Sequence, residues 1–311
     1  MNPLPSDLSI PTIRDYADPV SRMATRLRPE PTGRPVDEPL VSIVTVCRNA
    51  SATLLATLSS VRAQTYPWIE HVVVDGNSSD GTQQLLTMSD HLTGWLSEPD
   101  FGISDAFNKG IACTRGSLIG ILNADDQYLP ETVARAVDAF NRHPEAGFAF
   151  GGCDFTLDGR IVLHHDGDPD YAQTIHRRMP TLNHPSIFVR REVYEQLGLF
   201  RLDFKLAMDY EFLLRIHRYG ITGVAVPHTQ VRMALGGVSC RQILDAIKEA
   251  ARVSRIHGEP AWRATLTRAQ LSLVPFLRVA ATRLGIRAAW LAIHPRSTTT
   301  FLPVESGKGG H

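Results

Sequence analysis

Three short stretches hold carboxylates where they could do chemistry. In VVVDGNSSDGT, residues 72–82, an apolar run ends on Asp75 and breaks into small polar residues. In ILNADDQYLP, residues 121–130, a second apolar run ends on the adjacent pair Asp125 and Asp126. In MDYEFLLR, residues 208–215, Asp209 opens an amphipathic pattern. Adjacent carboxylates repel unless a positive charge sits between or beside them. Hard oxygen ligands at a strand end suit Mg²⁺ or Mn²⁺ carrying a diphosphate. The plainer alternative has one carboxylate capping the helix near Pro130 and the other in solvent. DGNSSDGT supplies Asp75, Asn77 and Ser79 to an EF-hand pattern, but Asp80 and Leu86 stand where that loop requires Gly and Glu. It also lacks the first aspartate of a DxDGT phosphatase nucleophile, with Ser78 in its place. A turn through Gly76 and Asn77, with Ser79 or Asp80 capping the next helix, is the structural reading.

The elements that must position these groups alternate at short spacing. Leu40 to Cys47 is a near-continuous apolar run, as a buried parallel strand needs. Asn49 and Ser51 could cap the helix that follows, through about Ala63. WIEHVVVD, TGWLSEPD, GSLIGILNADD and GFAFGGCDF read as further strands. SDGTQQLLTM, ISDAFNKGIACT and PETVARAVDAFNRH read as helices, Pro130 suiting a first helical turn. The pattern predicts an α/β fold with a mainly parallel sheet and helices on both faces. Ligands of such sheets bind at the carboxyl ends of the strands. Arg48 and Asn49, Asp75, and Asn123 to Asp126 would therefore share one edge. Beyond Asp154 the pattern loosens to a hairpin strand in GRIVLHHD, a strand then helix in HPSIFVRREVYEQLG, and the MDYEFLLRIHRYG helix ended by Gly220. Residues past Ser239 look helical.

Composition is that of an ordinary globular protein, with 43% hydrophobic and 21% charged residues. Lys+Arg and Asp+Glu both total 32, so net charge identifies no partner, and no nucleic acid is expected. From Arg241 to His311, however, 11 Lys/Arg face 4 Asp/Glu, an excess of seven positive charges. Four cysteines without CxxC pairing fit reduced buried thiols. No signal-peptide pattern opens the chain and no apolar run is long enough to span a bilayer, which leads to an expected cytoplasmic location.

From Pro39 to about Ser239 the chain resembles a family 2 glycosyltransferase of the GT-A fold. The resemblance rests on VSIVTVCRNA, VVVDGNSSDGT, SEPDFGISDAFNKGIACTRGSLIGILNADD, HPSIFVRREVYEQLGLF, MDYEFLLR and GGVS, in the family's order. It looks most like the bacterial branch that builds exopolysaccharide, capsule or O-antigen units. The resemblance implies an inverting transfer from a nucleotide sugar, most often a UDP-sugar, with Mg²⁺ or Mn²⁺. It implies that Asp75 hydrogen-bonds the base, with Thr45 and Asn49 lining the same pocket. Asn123 and Asp125 would face the ribose or donor sugar, and Asp126 would coordinate the metal with Asp125 beside it. Asp105, Asn108 and Lys109, on one helix, would wall the donor pocket, although a solvated face with an Asp–Lys pair is the alternative. Asp209 would be the general base that takes the acceptor hydroxyl proton. Met208 departs from the family's usual acidic residue there, and Glu211 is the second choice of base. His184 would contact diphosphate or acceptor, and Gly236–Ser239 would close over the donor.

The resulting division is a flexible lead-in at 1–39, a catalytic domain at 40–239 and a helical, basic C-terminal region at 240–311 with a disordered end. Within the catalytic domain, 40–153 is the nucleotide-binding half and 154–239 the acceptor half. The tail from Trp262 to Pro295 mixes apolar stretches with five arginines. It reads as a membrane-surface helix suited to a lipid-linked acceptor on the inner face of the plasma membrane, or as helices packed on the domain or in a homodimer. Two other functions remain open from the residues: a sugar-nucleotide pyrophosphorylase, whose glycine-rich basic loop is missing from CRNASATLL, and a non-catalytic sugar-nucleotide-binding relative.

Overall fold

The computed structural model describes residues 10–24, 27–157, 159–176, 182–234, 242–259 and 299–301. Four parallel strands form one side of its sheet: β1 (Val41–Cys47), β2 (Ile69–Asp75), β3 (Gly94–Ser97) and β4 (Leu118–Asn123). Every residue of β1 is buried, the signature of a strand covered on both faces. The helices α2 (Leu54–Arg62), α3 (Thr82–Met88) and α4 (Ile103–Cys113) make the crossovers. Helix α4 lies so close to β1 that a Cβ at Gly110 would overlap Val44. The register sets the ends of these strands level: Cys47 pairs with Asp75, Asp75 with Ser97, and Val46 with Asn123.

The sheet then becomes mixed. A short β5 (Gln127–Tyr128) and α5 (Thr132–Arg142) lead to β6 (Phe148–Leu157), which forms a hairpin with β7 (Arg160–His165). After α6 (Tyr171–Thr174), a 3₁₀ turn at His184–Ser186 enters β8 (Phe188–Arg190). That strand runs antiparallel between β4 and β6. Helices α7 (Arg191–Leu197) and α8 (Met208–Arg218) follow, then β9 (Gly223–Ala234), α9 (Ile243–Ile256) and β10 (Thr299–Phe301). The strand order is β10–β7–β6–β8–β4–β1–β2–β3, with β9 against β6 and β5. One large apolar cluster joins α4, α7 and α8 to one face of the sheet through Phe107, Phe148, Phe200 and Phe212. A second, on the opposite face, packs α5 through Val133, Val137 and Phe140.

Several expectations change here. Residues 13–24, read as flexible lead-in, form a 3₁₀ turn and α1 (Ala17–Ala24) packed on α4 and β3, with Tyr16 and Met23 buried. Only those two and Pro19 are buried in this segment, too sparse an apolar pattern to read as a helix. β9 was not anticipated: Pro227 and a left-handed His228 (φ 72°) interrupt its alternation, and its pairing with β6 shifts register there. Thr299–Phe301 pair as a strand with β7, within the region expected to be helical. Asn49 and Ser51 do not cap α2, whose N-cap is Thr53. The Trp262–Pro295 tail and Gly236–Ser239 lie outside the described residues.

Candidate active site

The level strand ends form one polar edge. Asn49, in a left-handed conformation (φ 51°), turns the chain out of β1. Its Oδ1 accepts from Ser79 N (3.0 Å), and its own N–H donates to Ser78 Oγ (2.7 Å). Asn49 thus ties the β1 and β2 exits together at the surface. Asp80 accepts from Thr82 Oγ1 (2.6 Å), Ser51 N (3.0 Å) and Thr82 N (3.1 Å), and these bonds, the Thr82 hydroxyl first, hold its carboxyl well below the usual range. The N-cap of α3 is Gly81, not Ser79 or Asp80, although Asp80 takes the Thr82 amide of its first turn, and Asn77 makes the turn with φ 60°.

Asp75 is 0% exposed. Its Oδ2 accepts from Ser78 N (3.0 Å) and Ser97 Oγ (2.6 Å), and its Oδ1 accepts from Ser78 Oγ. These bonds fix the Asp75 carboxylate in place at the strand end. Thr45 is likewise 0% exposed, bonded through Oγ1 to His71 Nε2 (2.9 Å), inside the sheet. Neither side chain is exposed at the edge where the pocket contacts are expected. The groups that do meet at this corner are Arg48, Gly76 and Asp100. A Cβ on Gly76 would overlap Asp100 Oδ2 and lie 3.4 Å from Arg48 Cδ. Asp100 is steadied by Gly102 N donating to Oδ1 (2.9 Å). SEPD signalled an acidic residue after β3, but nothing in the sequence placed it over Gly76.

Asp105, Asn108 and Lys109 are all buried on α4. Asn108, 0% exposed, donates to Phe200 O (2.8 Å) and Tyr16 Oη (3.1 Å) and accepts from Phe200 N (2.9 Å). Lys109 Nζ reaches Glu98 and Asp105 (each 3.0 Å) and Pro99 O (2.9 Å). Asp105 further accepts from Tyr16 Oη (3.1 Å) and Phe101 N (3.1 Å). The three form a buried polar network that ties α4 to the N-terminal segment and to the Phe200 turn. Asn108→Ala would strand a buried N–H and C=O of Phe200 at once. It is expected to cost about 2–4 kcal/mol in denaturant unfolding while leaving the KM values of the folded enzyme unchanged.

The acidic pair behaves differently. Asp126 is 1% exposed, accepting from Asn123 Nδ2 (3.1 Å) and from Ala234 N (3.2 Å) at the end of β9. Burial, reinforced by the charge of neighbouring Asp125, pushes its carboxyl up to about 8. Asn123 Oδ1 is buried without a hydrogen-bond partner. An orphaned oxygen beside a carboxylate lacking a counter-charge fits a hard divalent cation. Among the described residues no group of three or more His, Cys, Asp or Glu could hold such an ion. Diphosphate and water would have to complete its coordination.

Asp209 and His184 face each other on the same side. Burial raises the Asp209 carboxyl above the usual range, and the His184 imidazole draws it partly back. Burial lowers His184 below the usual imidazole range and favours its neutral form, and the Asp209 carboxylate opposes this only in part. Its ring rests against Phe107 (5.3 Å) and Phe200 (5.9 Å). Phe188 pairs with Gly120, and β8 runs antiparallel to β4. Stepping back from Phe188 to His184 therefore moves toward the end of β4, where Asn123 to Asp126 begin. Glu211, the second-choice base, is buried in pairs with Arg215 (2.9 Å) and His257 (3.3 Å) and faces away. Among the described residues no helix is long and apolar enough to cross a membrane.

A fold with a level carboxyl edge, an acidic pair of which Asp126 is buried, and a further carboxylate at Asp209 can be set beside known proteins. Residues 42–198 match the glycosyl transferase family 2 model. An uncharacterized glycosyltransferase of Mycobacterium tuberculosis is 34% identical over 182 residues, 57% of this chain and 68% of its own. A PGL/p-HBAD biosynthesis glycosyltransferase of Mycobacterium bovis is 28% identical over 57% of this chain and 69% of its own. Among solved structures, S. aureus TarS 1–349 in complex with UDP-GlcNAc superposes with TM-score 0.56 at 16% identity, over 80% of this chain and 76% of that one. Of the longer TarS chain, this protein spans 42%. The mannosyltransferase PcManGT of Pyrobaculum calidifontis, in complex with GDP-Man and Mn²⁺, superposes with TM-score 0.54 at 19% identity, over 91% and 87% of the two chains. These likenesses bear out the GT-A fold expected from the sequence, and the chain belongs to glycosyltransferase family 2.

Proposed function

We propose that this enzyme transfers a sugar, with inversion, from a nucleoside-diphosphate sugar to a hydroxyl acceptor with the help of a divalent cation. The observation that carries the reading is buried Asp126, with half-buried Asp125 and Asn123 beside it, on the same sheet edge as Asp209 and His184. Asp126, with Asp125 and Asn123 beside it, would hold Mg²⁺ or Mn²⁺, which offsets the charge of a departing diphosphate. Asp209 takes the proton of the acceptor hydroxyl as that oxygen attacks the anomeric carbon. Its raised pKa keeps it basic enough for that task. Neutral His184 orients the acceptor or the diphosphate by hydrogen bonding.

Residues 40–153 would form the donor half and 154–239 the acceptor half. At the donor corner, Arg48 and Asp100 meet the nucleoside across Gly76. Gly76→Ala would displace Asp100 and is expected to raise the donor KM about tenfold, the equivalent of one charge-assisted hydrogen bond of about 1.4 kcal/mol, with little change in kcat. The solved relatives with UDP-GlcNAc and with GDP-Man and Mn²⁺ support a nucleotide-sugar donor and leave both base types to be tried. The relative in PGL/p-HBAD biosynthesis supports a cell-envelope glycan or glycolipid acceptor. An exopolysaccharide or O-antigen acceptor, lipid-linked and met at the inner face of the membrane, is the reading favoured by sequence resemblance. The test is hydrolysis or transfer of α-linked UDP- and GDP-sugars with Mn²⁺, followed by NMR of the first-formed anomer. The β-anomer is expected, and retention of the α-configuration would refute the inverting mechanism.

A further inference from the structure

Helix α8, which carries Asp209, starts without a cap of its own. Its N-cap is Ala207, and an alanine side chain cannot accept a hydrogen bond from the free amides of a first turn. The amides just before the helix are instead taken by a residue 42 to 44 positions away in sequence. Glu249 Oε2 accepts from Lys205 N (3.0 Å), Leu206 N (2.8 Å) and Ala207 N (3.0 Å), and its Oε1 accepts a longer bond from Lys205 N (3.2 Å). Three consecutive amides aimed at one point make a concave donor set of the kind that elsewhere binds an anion. Here a carboxylate from α9 fills it.

We propose that Glu249 is a positioning residue for the transfer, fixing the start of α8 and with it the place and orientation of Asp209. The proposal rests on the reading of Asp209 as base. Asp209 lies two residues past Ala207, so any swing of the 205–207 segment moves its carboxylate. The consequence is catalytic because a base must meet the acceptor hydroxyl within hydrogen-bond reach. Glu249 also acts through its charge, which adds to the raising of the Asp209 carboxyl. The other titratable group facing Asp209 is His184, from the turn before β8. On α8 itself Glu211 is occupied by Arg215 and His257. On α9, Arg252 is bound to Asp203 (2.6 Å). Glu249 is therefore the negative charge from another element that bears on the base.

The experiment compares Glu249→Gln, Glu249→Ala and Asp209→Asn with the wild-type enzyme, using kcat, donor KM and the pH profile of kcat/KM. Gln keeps an oxygen to accept the amides but removes the charge. The acid limb of its profile is expected to move toward lower pH, with kcat close to wild type and donor KM unchanged. Ala removes the acceptor, and its kcat is expected to fall about tenfold or more at unchanged donor KM, as misplacement of a catalytic group does. Should Ala fail to fold, Glu249→Asp, whose shorter side chain keeps the charge but cannot reach all three amides, takes its place with the same expected fall in kcat. Wild-type kcat in the variant that loses the amide bonds overturns the proposal while the base reading stands, provided Asp209→Asn is inactive. Full activity in Asp209→Asn overturns both.

Discussion

Asp209→Asn is expected to lower kcat by about 10²–10⁴-fold, the range that a positioned general base contributes. Asparagine keeps the size of the side chain and the bond from Tyr210 N to Oδ1 (2.8 Å), so α8 should start as before. Donor affinity should stay within about twofold, because the base acts on the acceptor and its loss falls on the chemical step. The pH profile gives a second check. The folded-state pKa of Asp209 lies above the ordinary carboxylate value because burial outweighs the neighbouring imidazole. The wild-type rate should therefore fall as pH drops through that raised value, and the acid limb should vanish from the residual rate of the variant. A variant that keeps wild-type kcat would remove Asp209 from the mechanism.

Asp126→Asn is expected to abolish metal-dependent activity, a loss of at least about 10²-fold, without weakening the metal-free fold. The reason is the sign of its pKa shift. Its folded value, about 8, lies above the unfolded carboxylate value of about 4. Folding takes up a proton between these limits, so this group contributes stability below pH 4 and loses it as pH rises to 8. At pH 8 the wild-type protein free of metal holds a buried, uncompensated negative charge that the variant lacks. Asparagine can still accept from Ala234 N through Oδ1. With its amide turned, Asn123 can offer the now orphaned Oδ1 to the new NH₂ group. The variant should thus melt at or above the wild-type temperature at pH 8, and the difference should shrink toward pH 4. Added Mn²⁺ should stabilise the wild type increasingly as pH rises, since it competes with the proton, and should leave the variant unmoved. Thermal melts across pH with and without Mn²⁺ measure all of this. A variant that melts far below the wild type at pH 8 would show that the charge is already compensated in the fold.

What the sequence made legible follows from how local the signal is. The parallel strands are short and mostly apolar, seven residues in β1 and β2, four in β3 and six in β4, and their carboxyl ends fall where the polar loops begin, so the edge could be read directly. Asp125–Asp126 stood out because two adjacent carboxylates after an apolar strand need a physical reason. For Asp75 and Thr45 a strand end shows where a side chain sits but not what satisfies it. The partners Ser97 and His71 come from neighbouring strands, 22 and 26 residues away. Asn108 is harder still, since its partner at Phe200 is 92 residues distant. Gly76 looked like turn chemistry, and only the fold shows Asp100 in the space it leaves. Glu249 sits in an ordinary amphipathic helix, and its role exists only where α9 meets the start of α8.

The central claim is that Asp126 and its neighbours hold the diphosphate of a nucleotide sugar through a divalent cation. Calorimetric titration of UDP- and GDP-sugars into the wild-type protein and Asp126→Asn, each with Mn²⁺ and with chelator, tests it most directly. At 100 times its dissociation constant, a bound donor adds about 2.7 kcal/mol of stability, so the same samples can be followed by melting. The account predicts binding of at least one donor to the wild type with Mn²⁺, none with chelator, and none to Asp126→Asn. Donor binding of equal strength with chelator, or to the variant, would contradict it.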